Sequence, residues 1–448
     1  MLFSAASISL LALNLPSIGW NWLGWMLLTA CAIASMALAM TIINLKTLGK
    51  APRPTPIPLD ELHEPGLVQP SDTSRPLISV CIPARNESAN LEACVLAILA
   101  NADALKLLAT PDPKLNAKTN LNPLTNPTLE VIVYDDQSTD ETPAILARLV
   151  ALDPRVRPAL VVSLPSGWNG KQHACWRMSQ HARGSWLVFT DADVRFEPQC
   201  LASALTQAHR TKAALISAFP RQITGTLTES LVVPMIFFIL LSYLPFPRMR
   251  RTNDPASSAG CGQFLLVRRD AYDATQGHQA FKDSMHDGIK MPRAIRKAGF
   301  HSDLVDGTPL LSCRMYRGFS QTWRGFAKNA YEGLGSVGLL LFITIMHAIG
   351  HMLPWAFLLF VLFKSLGLIE STYKVQGEHL GLAAAACLLA LVQRVILAKA
   401  LSTSMLGALL HPVGVLFMTL IQWHSYWLHL TGQRSWRGRI AQEASTPA

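Results

Sequence analysis

The reactive side chains of this sequence concentrate in four short clusters: "PARNES" from Pro83, "DDQSTDE" from Asp135, "NGKQHA" from Asn169 and "TDADVRF" from Thr190. Each follows an apolar run. A carboxylate beside such a run is costly unless it holds a cation or hydrogen-bonds a ligand. A single Asp-x-Asp also caps helices and turns, but acidic clusters at the ends of neighbouring strands point to a shared binding crevice. Asp191 and Asp193 flank Ala192, and in an extended segment alternate side chains project to one side. Two carboxylates so placed suit a hard divalent cation, Mg2+ or Mn2+, which takes oxygen ligands and bridges to phosphate. His173 and Cys175 lie nearby in sequence, but no soft-metal set accompanies them.

The apolar runs are the elements that must position these groups. "LISVCI" (77–82), "LEVIVY" (129–134), "ALVVSL" (159–164) and "WLVFT" (186–190) read as strands, with helices expected after Glu87, after Asp140 and from Lys171. Strands apolar on both faces and separated by helices form a parallel sheet covered on both sides. Such sheets bind ligands at the carboxyl ends of their strands. "ADALKLLATPDPKLNAKTNLNPLTN" (102–126) interrupts the pattern as an Asn-, Pro- and Lys-rich surface insertion.

Composition places part of the 448-residue chain in a membrane. Half the residues are hydrophobic (50%) and only 15% are charged, against about 25% for an average soluble domain; mean hydropathy is +0.26. The net charge of +10 suits loops against anionic lipid or an anionic substrate. Lys and Arg form no dense block, which argues against nucleic acid as partner. The 8 cysteines are scattered with no C-x-x-C pair, fitting neither a disulfide framework nor zinc and implying a reducing, cytosol-facing compartment.

Residues 20–45 form an apolar run long enough to span a bilayer, with Lys46 and Lys50 behind it; the basic flank marks the cytoplasmic side. "KAPRPTPIPLDELHEPG" reads as an extended Pro-rich linker. "LVVPMIFFILLSYLP" (231–245) is too short for a full span and reads as either an interfacial or a core helix. Further apolar runs cover 337–363, 380–397 and 405–428. Pro354 kinks the first or divides it into two passes, and the three arginines of "QRSWRGR" favour the even count, which returns them to the cytoplasm.

Taken together, the motifs resemble glycosyltransferase family 2, the inverting nucleotide-sugar-dependent enzymes, over about 77–333. The resemblance implies an α/β fold: a GT-A, Rossmann-like, mostly parallel sheet joined to α-helical transmembrane segments. "IPARNE" looks like the family's first nucleotide-binding loop, which implies roles for Pro83, Arg85, Asn86 and Glu87. "VYDDQSTD" looks like the segment that contacts uracil and ribose, giving Asp135 and Asp136. "TDADVRF" matches the metal- and diphosphate-binding D-x-D, with Asp191 on nucleotide sugar and metal and Asp193 on metal. "GWNGKQHA" matches a segment that brings Lys171 to the nucleotide. Inverting transfer needs a carboxylate to take the acceptor's proton, and "SMHDGIKMPRAIRKAGF" puts Asp287 where the family carries its base. His286 stands where a first acid is usual, and Asp287 also suits a helix N-cap. "SSAGCGQFLLVRRDAY" resembles the acceptor entrance, implicating Gly262 and Gln263.

From Ser320 to Leu334 the residues have a helical period: Trp323, Phe326, Ala327, Ala330 and Leu334 on one face, Gln321, Arg324 and Lys328 on another. This is expected to be an amphipathic interface helix, with Arg324 serving the departing diphosphate and Gln321 and Trp323 the acceptor side. The family's processive synthases carry Q-x-x-R-W. Gln321 and Arg324 match, but Gly325 takes the Trp position, which favours single transfer to a lipid-like acceptor. His347 and His351 are helix neighbours, spaced as a metal pair could be, but in an apolar span they are expected to hydrogen-bond between helices or to face a lipid-accessible cavity.

The expected organisation is an anchor (1–50), linker (51–76), catalytic domain (77–318), interface helix (319–335), transmembrane helices (336–430) and basic tail (431–448). The expected activity is inverting transfer of one sugar from a nucleotide-diphosphate sugar, a UDP-sugar, to a lipid or polyprenoid acceptor, with a divalent cation. The motif order looks like carotenoid- and hopanoid-type members. The alternatives are a processive polysaccharide synthase and an inactive nucleotide-sugar-binding scaffold. The expected location is the cell membrane, multi-pass among membrane lipids, with the catalytic domain facing the cytoplasm.

Overall fold

The computed structural model describes residues 21–62, 76–110, 129–433 and short strands at 435–436 and 439–440. Seven strands form the central sheet: β1 (Ile78–Ala84), β2 (Leu129–Asp135), β3 (Val156–Pro158), β4 (Trp186–Thr190), β5 (Leu215–Phe219), β6 (Phe264–Arg268) and β7 (Ser302–Asp306). Their order is β7-β5-β6-β4-β1-β2-β3. Only β6 runs antiparallel to its neighbours, β4 and β5. β1, β4, β5 and β7 are buried along their whole length, as expected of strands covered on both faces. One face packs Val80, Ile82, Val131 and Val188 into a core; the other packs Ile132, Tyr134, Leu187 and Phe189. This is a GT-A-like arrangement. Its strand order reverses between β1 and β4, so a crevice opens at their carboxyl ends.

The third strand differs from expectation. Val156–Pro158 pairs with β2, whereas residues 159–164 join no ladder and Leu160 is 64% exposed. The ladder stops at Pro158 opposite Val133 although β2 continues to Asp135; the chain peels away, and Val162 meets the Tyr134 hydroxyl through its N–H and carbonyl instead. The linker also differs: Ile57–Pro58 pairs with Ala109–Thr110, and Trp186 Nε1 donates to Leu62 O at 2.9 Å. Of the insertion, Ala102–Leu108 is a helix and 111–126 lies outside the described residues.

Eight helices frame the site and its joint with the membrane segments: α1 (Trp22–Leu48), α2 (Gly170–His181), α3 (Met235–Tyr243), α4 (Asp287–Lys297), α5 (Gly318–Ala327), α6 (Val337–Ser365), α7 (Gly377–Ala400) and α8 (His411–Leu430). Among the described residues, three helices (α1, α6 and α7) are long and apolar enough to cross a membrane. α6 is continuous through Pro354, with one π turn at Ala348–Met352, so Pro354 does not split it into two passes. Proline in the first turn after the π segment gives up an N–H that needs no helical partner. α3 is a core helix: Met235, Phe237, Phe238 and Leu241 are buried against α1, α7 and α8. Gln393 of α7 donates to Thr41 of α1 at 2.8 Å and to Ser242 of α3 at 2.7 Å. His351 Nδ1 and His411 Nε2 are 3.1 Å apart, and His347 Nδ1 lies 2.9 Å from Thr419 Oγ1. These are the expected interhelical bonds.

The helices and the sheet share a core that includes Leu48, Phe219, Leu304, Phe326 and Val415. They also share main-chain bonds. Asp306 N donates to Gly49 O at 2.9 Å and Ala51 N to Asp306 O at 3.0 Å, so the chain leaving α1 pairs with the outer edge of β7.

Candidate functional site

β1 and β2 end side by side, with Ala84 opposite Asp135, and the loops after them are stitched together. Arg85 Nη1 donates to Asp136 O at 2.5 Å and lies 3.8 Å from its Oδ2. Asn86 has φ +53°, a conformation Asn tolerates; its N–H donates to Ser138 Oγ at 2.9 Å and its Oδ1 accepts from Thr139 N at 2.8 Å. Glu87 N donates to Thr142 Oγ1 at 2.8 Å, and Asp135 Oδ1 accepts from Ser138 N at 3.1 Å. Pro83, Glu87 and Asp136 are buried, Arg85 and Asp135 half-buried. The first two clusters thus form one rigid rim on the crevice.

The D-x-D follows β4 on the other side. Its geometry differs from the extended one expected: Val194 N donates to Asp191 O at 3.2 Å, so Asp191–Val194 is a tight turn, and strand alternation does not set the direction of the carboxylates. Ala192 is buried, while Asp191 and Asp193 are half-buried. Beneath the turn, Thr190 Oγ1 donates to Gln263 O at 2.8 Å. Gln263 itself is buried, accepting from Gln222 Nε2 at 2.8 Å and reaching Cys313 Sγ at 2.9 Å. No group of three or more metal-ligating side chains occurs among the described residues. The donor set available to a cation is therefore the Asp191–Asp193 carboxylate pair. That fits Mg2+ or Mn2+, which complete octahedral coordination with water and substrate phosphate rather than an all-protein cage.

Lys171 joins this turn to Asp287. Asn169 caps α2, its Oδ1 accepting from Lys171 N at 3.0 Å, which aims the lysine across the crevice. Lys171 Nζ lies 2.7 Å from Asp191 Oδ1 and 2.9 Å from Asp287 Oδ2. Burial opposes charge on both partners, but the pairing wins: Lys171 stays protonated well above its ordinary value, and Asp287 is held below the usual carboxylate value. Asp287 is 5% exposed at the first turn of α4, and its Oδ1 accepts from Gly288 N at 2.8 Å. Base and helix start therefore coincide. Burial depresses His286 next to it, leaving the imidazole neutral at pH 7.

Gly262 makes room for that carboxylate. A Cβ at 262 would lie 2.0 Å from Asp287 Oδ1, and one at Gly260 2.8 Å from Gly288 O. The turn before β6 is thus moulded around the base.

Two positioning carboxylates escaped sequence reasoning. Glu332, in the short helix Ala330–Leu334, accepts from Ser284 Oγ and, at 3.0 Å, from Met285 N, clamping the loop that leads into Asp287. Gly333 sits against His286, a Cβ there falling 3.4 Å from Nε2. Glu229 is buried and accepts from Gly225 N at 2.7 Å, Thr226 Oγ1 at 2.9 Å and Gly318 N at 2.7 Å, with Arg314 Nε at 3.3 Å. It therefore latches the start of α5. Glu332 has no sequence signal, since its partners lie 47 and 48 residues away, whereas Glu229 stands three residues after the N-cap Thr226 in a T-x-x-E capping box, a local pattern that could have been found.

Gln321, Trp323 and Arg324 are not brought into the Lys171 cluster. Gln321 is exposed and turns back, its Oε1 accepting from Arg317 N at 2.9 Å. Trp323 stacks on Phe319 and donates from Nε1 to His424 Nδ1 at 2.8 Å. Arg324 is exposed. The interface segment is two helices, α5 and Ala330–Leu334, separated at Lys328 and Asn329. Gly325 has a packing reason: a Cβ there would lie 2.1 Å from the Tyr316 ring, which meets Phe326 edge-on.

The model of the family described as Glycosyl transferase family 2 matches residues 79–275. Residues 79–275 belong to glycosyl transferase family 2. This family 2 domain contains the rim, the D-x-D, Lys171 and Gly262, and it ends before Asp287. A curated relative, the 4,4'-diaponeurosporenoate glycosyltransferase of Staphylococcus haemolyticus, is 24% identical over 262 residues, 58% of this chain and 62% of the relative's length. Among solved structures, a mannosyltransferase of Pyrobaculum calidifontis in complex with GDP-Man and Mn2+ is similar at 18% identity and TM-score 0.47, covering 90% of this chain and 99% of that one. Glucosyl-3-phosphoglycerate synthase of Mycobacterium tuberculosis, with Mn2+, UDP and glucosyl-3-phosphoglycerate, is similar at 20% identity and TM-score 0.33, covering 62% and 86%.

Proposed function

We propose that this chain is an inverting glycosyltransferase that moves one sugar from a nucleotide-diphosphate sugar, a UDP-sugar, to the hydroxyl or carboxyl of a lipid-like acceptor at the membrane. The observation that carries the reading is Lys171, which touches the D-x-D and the buried Asp287 at once. One cation thus links the carboxylates suited to a metal-bound diphosphate with the carboxylate suited to a base. The rim of Arg85, Glu87, Asp135 and Asp136 would hold the nucleoside. Asp191 and Asp193 would hold a divalent cation, which when bound offsets charge on the diphosphate.

For a hydroxyl acceptor, Asp287 takes the proton as the oxygen attacks the anomeric carbon, and the bond from that carbon to the diphosphate breaks with its electron pair on the nucleotide. In the donor-free state Lys171 holds Asp287 as a weak base. An incoming diphosphate competes for Lys171, and Asp287, losing its cation inside a buried site, becomes more basic. Burial of Asp287 also keeps water from taking the acceptor's place.

The lipid-like acceptor is supported by apolar helices sharing a core with the sheet and by the acceptor in the curated relative's name. Lys46 and Lys50 behind α1 support a multi-pass protein in the cell membrane with its catalytic domain in the cytoplasm. Single transfer is supported at Gly325, where the Tyr316 ring fills the space that a synthase-type Trp side chain would need. Incubating membranes that contain the protein with radiolabelled UDP-sugar, then separating the lipid extract, tests the proposal. One labelled lipid is expected. A ladder of products would replace it with a processive synthase, and no transfer from any nucleotide sugar would leave a binding scaffold.

A further inference from the structure

The joint between α1 and the sheet carries an open polar cavity of about 330 Å3, lined by Leu48, Gly49, Lys50, Gln207, Arg210, Thr211, Arg250 and Val305. Three of these residues are cations. Asp303, fully buried behind the cavity, accepts from Gln207 Nε2 at 2.7 Å and from Arg250 Nε at 3.0 Å. Arg250 Nη2 also donates to Leu48 O at 2.9 Å, so its guanidinium is fixed between sheet and membrane helix. Asp306, the other carboxylate beside Lys50, accepts from Thr308 N at 2.9 Å. Lys50 and Arg210 are exposed and form no ion pair among the described residues. The walls thus offer two cations outside any ion pair among the described residues, one held guanidinium, and the Gln207 and Thr211 side chains; Asp306, buried beside Lys50, offsets part of this charge.

The cavity also has a defined depth. It opens at the last turn of α1, beside Lys46, where a membrane-spanning helix passes the lipid headgroups. Nearer the bilayer, Ile42 and Ile43 are 38% and 47% exposed. Apolar surface over a cationic hollow is the pattern that fits acyl chain above and phosphate below. We propose that this cavity binds the phosphate ester of one anionic phospholipid headgroup, with Lys50 and Arg210 as its charge contacts and Arg250 as the fixed wall. The occupant is a structural lipid that fills the joint between anchor and catalytic sheet, not the glycosyl acceptor. The assignment rests on α1 spanning the membrane and is independent of the sugar-transfer reading.

Native mass spectrometry of the detergent-solubilised full chain, titrated separately with phosphatidylglycerol and phosphatidylcholine, tests this. Wild type is expected to retain one phosphatidylglycerol per chain and no phosphatidylcholine at the same concentration. Lys50→Gln with Arg210→Gln should weaken phosphatidylglycerol retention roughly tenfold or more, since each basic side chain near an anionic headgroup contributes several-fold. Lys50→Arg with Arg210→Lys should restore it, and Lys297→Gln, outside the cavity, should leave it unchanged. Equal retention of both lipids, or undiminished phosphatidylglycerol on the Gln pair, overturns the proposal. Displacement of the lipid by millimolar inorganic phosphate alone would instead mark a free-anion site and overturn the lipid assignment.

Discussion

Lys171 Nζ stands 2.9 Å from Asp287 Oδ2 and 2.7 Å from Asp191 Oδ1, so one ammonium group is shared by a carboxylate on each side of the crevice. Asp287→Asn should lower kcat by about 10²–10⁴-fold, the range for losing a general base, with little change in donor affinity measured by calorimetry. Lys171→Met has a signed effect on pH dependence. Lys171 holds the Asp287 pKa below its ordinary value against burial, which raises it. Without the lysine, burial dominates, and the acid limb of the kcat/KM profile should move to higher pH. An unmoved limb would show that Asp287 does not govern it.

Gly262→Ala tests the space around the base. The new methyl would fall 2.0 Å from Asp287 Oδ1, so the carboxylate or the turn must shift. A misplacement of about 1 Å costs on the order of 100-fold. The loss should appear in kcat while the protein still binds nucleotide, which is proposed to sit against the Arg85–Asp136 rim.

Glu332 acts through the loop that precedes Asp287 and should report as a positioning residue. Glu332→Ala frees Ser284 and Met285 N, and kcat is expected to fall roughly 10- to 100-fold with donor KM unchanged. Glu332→Gln keeps an acceptor for one of the two donors and should recover part of the rate. Equal loss of thermal stability and activity in both variants would reduce Glu332 to a fold-stabilising contact.

Glu229 should set acid stability. Hydrogen bonds and Arg314 outweigh burial and bring its pKa to about 2, below the ordinary glutamate value of about 4.3. A depressed carboxylate stabilises the fold fully above its unfolded pKa and loses that contribution as pH falls toward the folded value. Thermal denaturation in detergent should therefore lose midpoint between about pH 4.5 and pH 2. Glu229→Gln should cost roughly 2–4 kcal/mol at neutral pH and flatten that acid branch.

What could be read from the sequence was what neighbours in the chain decide. "WLVFT" followed by "TDADVRF" announced a buried strand and its acidic end, because alternation and burial are local. The direction of the Asp191 and Asp193 side chains was not legible, because a single hydrogen bond from Val194 N to Asp191 O turns the segment. Gly325 looked like a missing aromatic platform, yet its reason is a Tyr316 ring nine positions upstream, brought back across the turn at Gly318, whose φ is +76°. Glu332 carried no signal because its partners are set by tertiary packing; Glu229 carried half of one, the T-x-x-E spacing from Thr226, while its bonds to Gly318 and Arg314 come from packing. Residues 159–164 had strand composition, but pairing decides strands, and the chain leaves β2 after Pro158, opposite Val133.

The bonds from Gly49 and Ala51 to Asp306 make the anchor more than a tether. An enzyme on a loose leash samples many heights and tilts above the bilayer; here the last rung of the sheet is the first stretch of chain to emerge from the membrane helix. The crevice is therefore carried at a set altitude, and a water-soluble acceptor placed farther from the bilayer would gain nothing from a swivel. Cutting the chain after Ala51 would cost more than membrane attachment. It would sever the covalent hold on that rung and leave β7 ready to recruit a strand from another molecule, so the freed catalytic domain should self-associate.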